Sequence, residues 1–370
     1  MTRPPQPPTS DLEHSAVLPQ GDALRVMGHP EVMDVVTDAH TFSSAVSRFL
    51  QIPNGLDGQE HAKARAILDE YFTEPRMMAL EPSCREVARA LVAELPRGQA
   101  VDVVPGLGTQ YAVRAMLRWL GWPSELELEL VDWVASNAEA SRSGELERTR
   151  IVAQQFDDII SSVITPRLDR LDQPPVDVTD ELLRERVDDR LLTHDELVSI
   201  LRNWTGGDLG SLALCVGVVL HLIAADPEIE ADVRSRRRDP DALGRAIDEL
   251  LRIDDPFVSN RRRATVDTEL AGCPIHAGDR VFVDWTNANR DPRVFPEPDR
   301  YAPETHASHN LVYGAGPHVC PGRPLATLEL RVLLEEVLDA TSDLTLEGAP
   351  PGTRAQRPLG GWSSAPVVLR

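Results

Sequence analysis

The sequence predicts a mainly α protein with small β-sheets, and three observations support this prediction. The first two thirds of the 370 residues read as one helix after another, each closed by a turn containing proline or glycine. After about residue 251 the pattern changes to short β-branched runs separated by glycines. The chain then returns to an amphipathic helix, in which Ala326, Leu330, Leu333 and Val337 share one face.

The predicted helices end at recognisable stop signals, such as the glycine and proline at positions 121 and 123. They cover residues 30–36, 61–72, 77–95, 109–120, 124–140, 144–171 and 193–225. At the start of the last helix, Thr193 and Glu196 form a capping box, because each side chain can bond the backbone amide of the other residue. Its apolar stretch, 209–225, is interrupted by Gly210 and Ser211 and is shorter than the ~18–20 residues of a spanning helix, so we expect a buried core helix.

Short strands are predicted at residues 258–266, 268–270 and 280–285, with glycine turns between them. No internal repeat or long linker divides the chain, so residues 21–370 are predicted to form a single domain. Residues 1–20 are rich in proline and are predicted to form a disordered tail.

Charge and cysteine usage exclude several functions. The chain has 38 basic and 59 acidic residues, a formal net charge of −21, which argues against nucleic acid or a membrane as a partner. Its four cysteines form no C-x-x-C pair, so no disulfide framework is predicted. Because the N-terminal segment has no apolar signal region, we expect a soluble, cytoplasmic protein with reduced thiols.

The most informative segment surrounds Cys320, which lies in a glycine- and proline-rich loop that leads directly into the last helix. Amide donors and the dipole at a helix N-terminus lower a thiol pKa from about 8.5 and favour a thiolate suited to a metal or a nucleophilic role. An inert buried cysteine is the alternative. The loop is not a dinucleotide fingerprint, because Val319 stands where the third glycine is needed. His318 and Cys320 supply only two of the four ligands of a zinc site.

The loop, YGAGPHVCPGRPLA at residues 313–326, strongly resembles the haem-ligand loop of the cytochrome P450 family. Three further stretches resemble motifs of that family, in the same order. They are the E-x-x-R motif at 249–252, the meander NRDP and FPEPDRY within 289–301, and the haem-facing helix start DGQEHAKAR at 57–65. The resemblance runs from about residue 25 to the C-terminus and implies the cytochrome P450 fold, with haem buried between the long central helix and the helix after Cys320.

The resemblance implies haem b as the cofactor and Cys320 as the thiolate ligand of its iron. It also implies that His61, Arg65, Arg262 and His318 hold the two haem propionates, because buried carboxylates need cations. Arg262 lies in the run Arg261-Arg262-Arg263, which leaves the register open by one residue. A buried structural network of Glu249, Arg252 and Arg300 is implied as well, since a second arginine would saturate the carboxylate.

The long helix departs from the family pattern. Asp208 matches the acid of the oxygen-activation motif, but Leu209 stands where a hydroxyl residue normally helps to deliver protons. Thr205 or Ser211, three residues to either side of Asp208, could take that role, and Asp208 and Thr205 are the predicted catalytic residues. The predicted substrate pocket follows by position and comprises Phe49, Leu50, Ile52, Leu201, Trp204, Val258, Asn260 and Trp362.

The resemblance implies a bacterial haem-thiolate monooxygenase that oxidises a small organic molecule in secondary metabolism, with electrons from a ferredoxin and its reductase. The alternative is an atypical member that uses peroxide or catalyses coupling, cleavage or rearrangement, which Leu209 motivates. A haem-binding protein without catalytic activity is the third hypothesis. Dependence on an electron supply separates the first two, and turnover separates both from the third.

Overall fold

A computed structural model describes residues 16–21, 23–357 and 359–370. Helices dominate it, as predicted, and most of them pack into one large apolar core. The helices of the described residues are α1 (His29–Thr37), α2 (Gly58–Leu68), α3 (Glu74–Glu94), α4 (Gln110–Leu120), α5 (Glu127–Ser143), α6 (Leu146–Leu168), α7 (Val178–Leu182), α8 (His194–Ala225), α9 (Pro227–Arg236), α10 (Pro240–Ile253), α11 (Trp285–Ala288), α12 (Pro303–His306) and α13 (Arg323–Ala340).

The longest helix, α8, is the centre of the helical core. Its capping box is present, because the Glu196 amide donates to Thr193 Oγ1 at 3.3 Å and the Thr193 amide donates to Glu196 Oε2 at 2.7 Å. By length and composition α8 is the one helix of the described residues that could cross a membrane, but most of its apolar stretch is buried inside the protein. It packs against α4, α6, α10 and α13, as a core helix does.

Small sheets complete the fold. Their strands are β1 (Val17–Gln20), β2 (Ala23–Val26), β3 (Phe42–Ser43), β4 (Ala100–Asp102), β5 (Arg186–Val187), β6 (Arg190–Leu191), β7 (Ser259–Ala264), β8 (Thr268–Leu270), β9 (Cys273–Ile275), β10 (Arg280–Asp284), β11 (Leu344–Thr345), β12 (Thr353–Arg354), β13 (Trp362–Ser364) and β14 (Pro366–Leu369). The largest sheet has the order β1-β2-β10-β7-β3, in which β10 runs parallel to β2 and the other neighbours are antiparallel.

The structure corrects the predicted N-terminal boundary. Residues 1–15 lie outside the described part of the chain, but the residues that follow belong to the folded domain rather than to a tail. Val17 pairs with Val26 across β1 and β2, and both side chains are buried in the core of this sheet. Burial of these apolar side chains explains why pairing extends beyond the predicted start at residue 21.

Candidate functional site

Glycines and a backbone hydrogen bond fix the loop that carries Cys320. Gly314 and Gly316 both have positive φ, +72° and +71°, which side-chain-bearing residues rarely adopt. A Cβ atom on Gly316 would also lie 2.4 Å from the carbonyl oxygen of Val36, so only glycine lets the loop approach the end of α1. The Cys320 amide donates to the Tyr313 carbonyl at 2.9 Å, and α13 begins three residues later. The loop therefore holds Cys320 at the N-terminal end of α13.

The thiol of Cys320 is less acidic than the sequence predicts. Burial raises its pKa, whereas hydrogen bonds from the Gly322 and Arg323 amides and the charge of Arg65 lower it. The amides thus act in the predicted direction, but the surrounding protein outweighs them. Part of the surface of residue Cys320 stays exposed, although protein atoms surround most of its thiol.

Four basic side chains converge beside this loop, and they are the four that the sequence singles out. The rings of His61 and His318 have centroids 4.0 Å apart. Their pKa values are both lowered, chiefly by burial and further by neighbouring positive charges, that of His318 to about 4. Arg262 is buried, and the same desolvation lowers the pKa of its guanidinium. Positive charge in this cluster is therefore unfavourable without an anion.

Arg65 connects the helix α2 to the Cys320 loop. Its Nη1 donates to the carbonyl oxygens of Pro317 at 3.0 Å and Val319 at 2.8 Å, and its Nε donates to Asp69 at 2.6 Å. Because His61 and Arg65 are four residues apart on α2, both side chains leave the helix on the same side. This places them next to His318.

Asp57 and Ser44 belong to the same cluster, and the sequence assigned them no role. Ser44 Oγ lies 3.0 Å from His318 Nε2, and Asp57 Oδ1 lies 3.5 Å from that nitrogen. Asp57 also accepts from the Ser43 hydroxyl and the Ser44 amide. Two carboxylates, Asp57 and the Asp69 that pairs with Arg65, thus lie among two arginines and two histidines, so basic groups outnumber acidic groups in the cluster.

The cluster fits a group that carries carboxylates. His61 Nε2 is buried and has no hydrogen-bond partner, which is costly unless a ligand supplies one. Arg262 donates from Nη1 to its neighbour's carbonyl, that of Arg261, at 2.9 Å. A thiol at a helix N-terminus beside these cations matches the donor set of a haem with a thiolate ligand and two propionates. The residues present therefore fit the cofactor that the resemblance implies.

The structure corrects one member of the buried ion-pair network. Arg252 binds Glu249 through two hydrogen bonds of 2.7 and 2.9 Å, as predicted. The third partner is His306, whose Nδ1 lies 2.8 Å from Glu249 Oε1. The Arg300 side chain is exposed and pairs with Glu297, while only its carbonyl faces Arg252, at 3.4 Å. His306 satisfies the carboxylate because α12 ends directly beside it.

The residues of α8 that adjoin open space are not those that the sequence predicts. Thr205 and Leu209 are both fully buried, and the Thr205 hydroxyl donates to the Leu201 carbonyl at 2.6 Å. Open space adjoins a different face, where a Cβ built on Gly207 or Gly210 meets no atom within 4 Å. Ser211 shares this face, since positions i, i+3 and i+4 of a helix lie together. The predicted catalytic role of Thr205 therefore conflicts with its position, and Ser211 is the hydroxyl residue beside the open space.

Asp208 points into the core between helices instead of toward the open space. Its carboxyl lies close to the carboxyl of Glu329 on α13, which is fully buried, and the two groups interact electrostatically. Burial raises the pKa of Asp208 to about 7 and raises the pKa of Glu329 well above its usual range. Two adjacent buried carboxyls can share a hydrogen bond only when one of them is protonated, and the raised pKa values mean that the pair keeps at least one proton at neutral pH.

The chain matches known proteins over most of its length. A family model described as Cytochrome P450 matches residues 241–353. Erythromycin C-12 hydroxylase of Saccharopolyspora erythraea is 28% identical over 336 residues, which cover 87% of this chain and 83% of that protein. Cyclomarin C epoxidase CymV of Salinispora arenicola is 27% identical over 89% of this chain and 87% of that protein. The ligand-free structure of cytochrome P450 TbtJ1 matches with a TM-score of 0.86 and 26% identity, covering 98% of this chain and 97% of that one.

The chain belongs to the cytochrome P450 family. Membership makes it an oxidoreductase with a haem-thiolate cofactor, and it confirms the predicted fold class. Within the P450 fold, the structure brings the Cys320 loop and the four basic residues together, while their roles toward a haem stay predictions.

The predicted substrate pocket of this P450 is only partly consistent with the structure. Phe49 and Leu50 are exposed, at 58% and 43%, and the Arg48 guanidinium covers the Phe49 ring. Leu201 is fully buried in the core, and Trp204 packs among aromatic rings away from the open face. Leu201 and Trp204 pack against apolar and aromatic side chains of other segments, and the position of a residue along a helix does not reveal such neighbours.

The remaining pocket candidates lie nearer the C-terminal strands. Trp362 stacks on His221 of α8, with ring centroids 3.9 Å apart, and its Nε1 donates to Asp254. Val258 contacts the turn at Gly360, where a Cβ would lie 3.2 Å from Val258 Cγ2. Ile52 is buried, and its carbonyl accepts from the Asn203 side chain of α8 at 3.0 Å; Asn260 is exposed on β7.

Glu329 and His306 were not singled out from the sequence, although a sequence pattern marks the first of them. Glu329 lies three residues after Ala326 and four before Leu333, so an acid on the apolar face of α13 could have been noticed. His306 follows a proline-containing turn without any pattern that marks it, and only the tertiary structure brings it to Glu249.

Proposed function

We propose that this P450 is a haem b monooxygenase that oxidises a small organic molecule of secondary metabolism in the cytoplasm. The observation that carries the proposal is the excess of buried basic groups beside the Cys320 loop, with His61 Nε2 left without a partner. Relatives named for hydroxylation and epoxidation, such as erythromycin C-12 hydroxylase and cyclomarin C epoxidase, support this class of reaction.

Cys320 would bind the haem iron, and His61, Arg65, Arg262 and His318 would bind its propionates. When bound, a thiolate-ligated haem supplies oxygen activation, which electron donation from sulfur favours. Arg262 and Arg65 would retain their charge at any physiological pH, because guanidinium groups stay protonated. The two histidines, neutral without a partner, would gain hydrogen-bond acceptors from the carboxylates and orient them.

Besides binding the haem, the chain would have to deliver protons during the proposed reaction. Ser211 is the hydroxyl residue on the open face of α8, and it could orient a water or pass a proton there. Asp208 shares a proton with Glu329 on another face, so its part would be indirect.

Electrons would come from a ferredoxin with its reductase, and docking near Arg323 is the prediction that follows from the family resemblance. Arg323 is exposed, at 54% of its side chain, and pairs with Asp248 at 3.0 Å. It also lies over the Tyr313 ring at 5.1 Å, in the loop that carries Cys320. Since the net charge of the chain is −21, any basic docking patch for an acidic donor must be local.

Peroxide use is the second candidate function, and one observation favours it. The open face of α8 carries Gly207, Gly210 and Ser211 and no carboxyl group, because Asp208 turns away from it. A chain that receives oxygen already reduced as peroxide needs fewer proton donors. Turnover with ferredoxin, reductase and nicotinamide cofactor, compared with turnover with hydrogen peroxide alone, separates the two functions.

The carbon monoxide difference spectrum of the reduced protein tests the thiolate assignment. The wild type should show the long-wavelength band typical of thiolate ligation, and Cys320→Ser should lose it entirely. Cys273→Ser, a partly buried cysteine in β9, is the matched control and should keep the band. An unchanged spectrum in Cys320→Ser would overturn the assignment. Haem binding without turnover under either electron supply would favour the non-catalytic hypothesis.

A screen of small organic molecules completes the test of the proposed function. A molecule that binds in the site would change the spin state of a bound thiolate-ligated haem, and a shift of the Soret band would report this change. A molecule that produces this shift and is then converted to an oxygenated product, detected by mass spectrometry, would identify the substrate class.

A further inference from the structure

Four aromatic side chains form a continuous cluster between α4, α8 and the short helical turn Asp69–Phe72 that follows α2. Trp204 of α8 is its centre, with ring centroids 5.1 Å from Tyr71, 5.2 Å from Trp119 and 5.6 Å from Phe72. Phe72 and Trp119 are 5.3 Å apart and close the cluster. All four side chains are buried, in a chain with only 5% aromatic residues. Such spacing gives direct contact between neighbouring rings.

One end of the cluster lies beside the Cys320 loop. A Cβ built on Gly322 would be 3.8 Å from Cys320 Sγ and 3.9 Å from Phe72 Cε1, so both atoms adjoin the same point. Phe72 in turn meets the Trp204 ring edge to face, at 82°. The candidate metal ligand and the tryptophan are thus joined by a single aromatic ring.

The other end of the cluster has a proton acceptor. The Tyr71 hydroxyl donates to Glu185 Oε1 at 2.8 Å. The Arg76 guanidinium lies 4.9 Å from the Tyr71 ring centroid and is itself partly exposed, at 39% of its side chain. A cation over the ring disfavours a positively charged tyrosine radical. Oxidation of Tyr71 is therefore easiest when its proton moves to Glu185.

Trp204 has the opposite environment. Its Nε1 is buried and has no hydrogen-bond partner, so an oxidised Trp204 could not release its proton in the folded protein. It would remain a radical cation, which is a stronger oxidant than the neutral radical. The electron hole would then move to Tyr71, where proton loss is possible.

We infer that Trp204 and Tyr71 form an electron-transfer pathway that removes oxidising equivalents from the haem site to the Glu185 side of the protein. The pathway would act when oxygen is activated and no substrate consumes the oxidising equivalent. The inference rests on the proposed function only in requiring haem bound through Cys320, which the carbon monoxide spectrum establishes separately.

The electrons and protons balance in three steps. Trp204 gives one electron to the oxidant in the site. Tyr71 then gives one electron to Trp204, which returns to its neutral state, while the phenolic proton of Tyr71 passes to Glu185. A soluble one-electron reductant of the thiol or ascorbate class restores Tyr71, and the proton returns from Glu185.

Freeze-quenched electron paramagnetic resonance of the holoenzyme tests the pathway. Hydrogen peroxide is added without substrate, and we expect a tyrosyl signal whose hyperfine splitting collapses with ring-deuterated tyrosine. Tyr71→Phe should lose this signal and bleach the Soret band faster than the wild type. Trp204→Phe should reduce the tyrosyl yield, and Glu185→Gln should shift the signal from tyrosine toward tryptophan.

Tyr301→Phe is the matched control. The Tyr301 hydroxyl also donates to a carboxylate, Asp232, at 2.8 Å, but among the described residues its ring stacks on no other aromatic ring. This variant should keep both the radical and the bleaching rate of the wild type. A tyrosyl signal that survives Tyr71→Phe, or a wild type with the thiolate spectrum but no protein radical, would overturn the inference.

Discussion

Two buried charge clusters, the basic cluster beside the Cys320 loop and the acidic pair Asp208 and Glu329, respond to burial in opposite ways, because one loses protons and the other keeps them. The basic cluster contains two arginines, which cannot release their protons, and its histidines become neutral instead. The acidic pair, Asp208 and Glu329, neutralises half of its charge by keeping one proton. The difference teaches that each carboxyl of the acidic pair has the other as a neighbour within the chain, whereas His61 Nε2 in the basic cluster has no hydrogen-bond partner. We propose the basic cluster as a binding site for this reason.

The largest effect that tests the contrast between the basic cluster and the acidic pair is expected on the turnover rate. If the acidic pair is complete, Asp208→Asn should retain oxygen-dependent turnover close to that of the wild type. Ser211→Ala should reduce it by roughly 10²-fold, the usual weight of an acid–base group. Steady-state rates with a saturating electron supply measure both. A loss of that size in Asp208→Asn instead would make Asp208 the proton donor that the sequence predicts.

The variant Leu209→Thr tests whether residue 209 of α8 is buried in the core or faces the site. The Leu209 side chain is fully buried, so a threonine there would bury a hydroxyl in the core instead of adding one to the site. We expect a loss of stability on the order of 1–3 kcal/mol and no gain in the coupling of electrons to product. Improved coupling would show that residue 209 faces the site.

The second effect concerns haem retention. Arg262→Ala should accelerate haem transfer to an acceptor such as apomyoglobin by roughly 10- to 100-fold, since a charged hydrogen bond contributes about 1.5–3 kcal/mol. Arg261→Ala is the matched control, because Arg261 is exposed on the same strand. Equal rates in the two variants would contradict the propionate role of Arg262, and a larger effect in Arg261→Ala would move the register by one residue.

The Cys320 loop and the helix α8 also differ in how much of their structure the sequence predicts. In the Cys320 loop, glycine and proline fix the backbone, so the positions of His318 and Cys320 follow from local sequence. On α8 each residue turns the side chain by about 100°, so an error of one or two positions assigns a different face. The structure places Asp208 beside Glu329 and buries Leu209, which the sequence pattern did not indicate, although the helix and its capping box were predicted correctly.

Packing between distant segments accounts for the other differences. Trp204 was predicted beside the substrate, but its neighbours Tyr71 and Trp119 come from residues far away in sequence. The short strand β1 was predicted as tail, because its single buried valine gives little periodicity. Helix length and turn signals are local properties, whereas the choice of neighbour depends on the whole fold.

A further effect is expected on how the free energy of unfolding depends on pH. The pKa of Asp208 in the folded protein, about 7, lies above its ordinary value of 3.8. The folded state therefore binds more protons than the unfolded chain in this interval, so this group's contribution is complete below about pH 4 and is lost as the pH rises through 7. Asp208→Asn should reduce the fall in unfolding free energy across this interval by on the order of 4 kcal/mol, since each pKa unit contributes about 1.4 kcal/mol. Urea unfolding at several pH values measures it.

Asp195→Asn is the control for that measurement. Asp195 lies on the same helix, but its side chain is 93% exposed, so its replacement should leave the slope with pH unchanged. If Asp208→Asn and Asp195→Asn both follow the wild-type curve, the acidic pair does not share a proton, and the contrast with the basic cluster fails.

The smallest effect is expected for Arg300→Ala. The Glu249–Arg252 pair is a third buried charge cluster, and its carboxylate has hydrogen-bond partners within the chain. Arg300 contributes its carbonyl, while its exposed side chain forms a surface ion pair with Glu297, which is worth about 0–1 kcal/mol. His306→Ala removes a hydrogen bond from a buried carboxylate and should cost about 1–3 kcal/mol more. Chemical unfolding of the holoprotein compares the two variants. Equal destabilisation would restore Arg300 as the third partner of Glu249, and a stable His306→Ala would mean that the Ala302 amide suffices for that carboxylate.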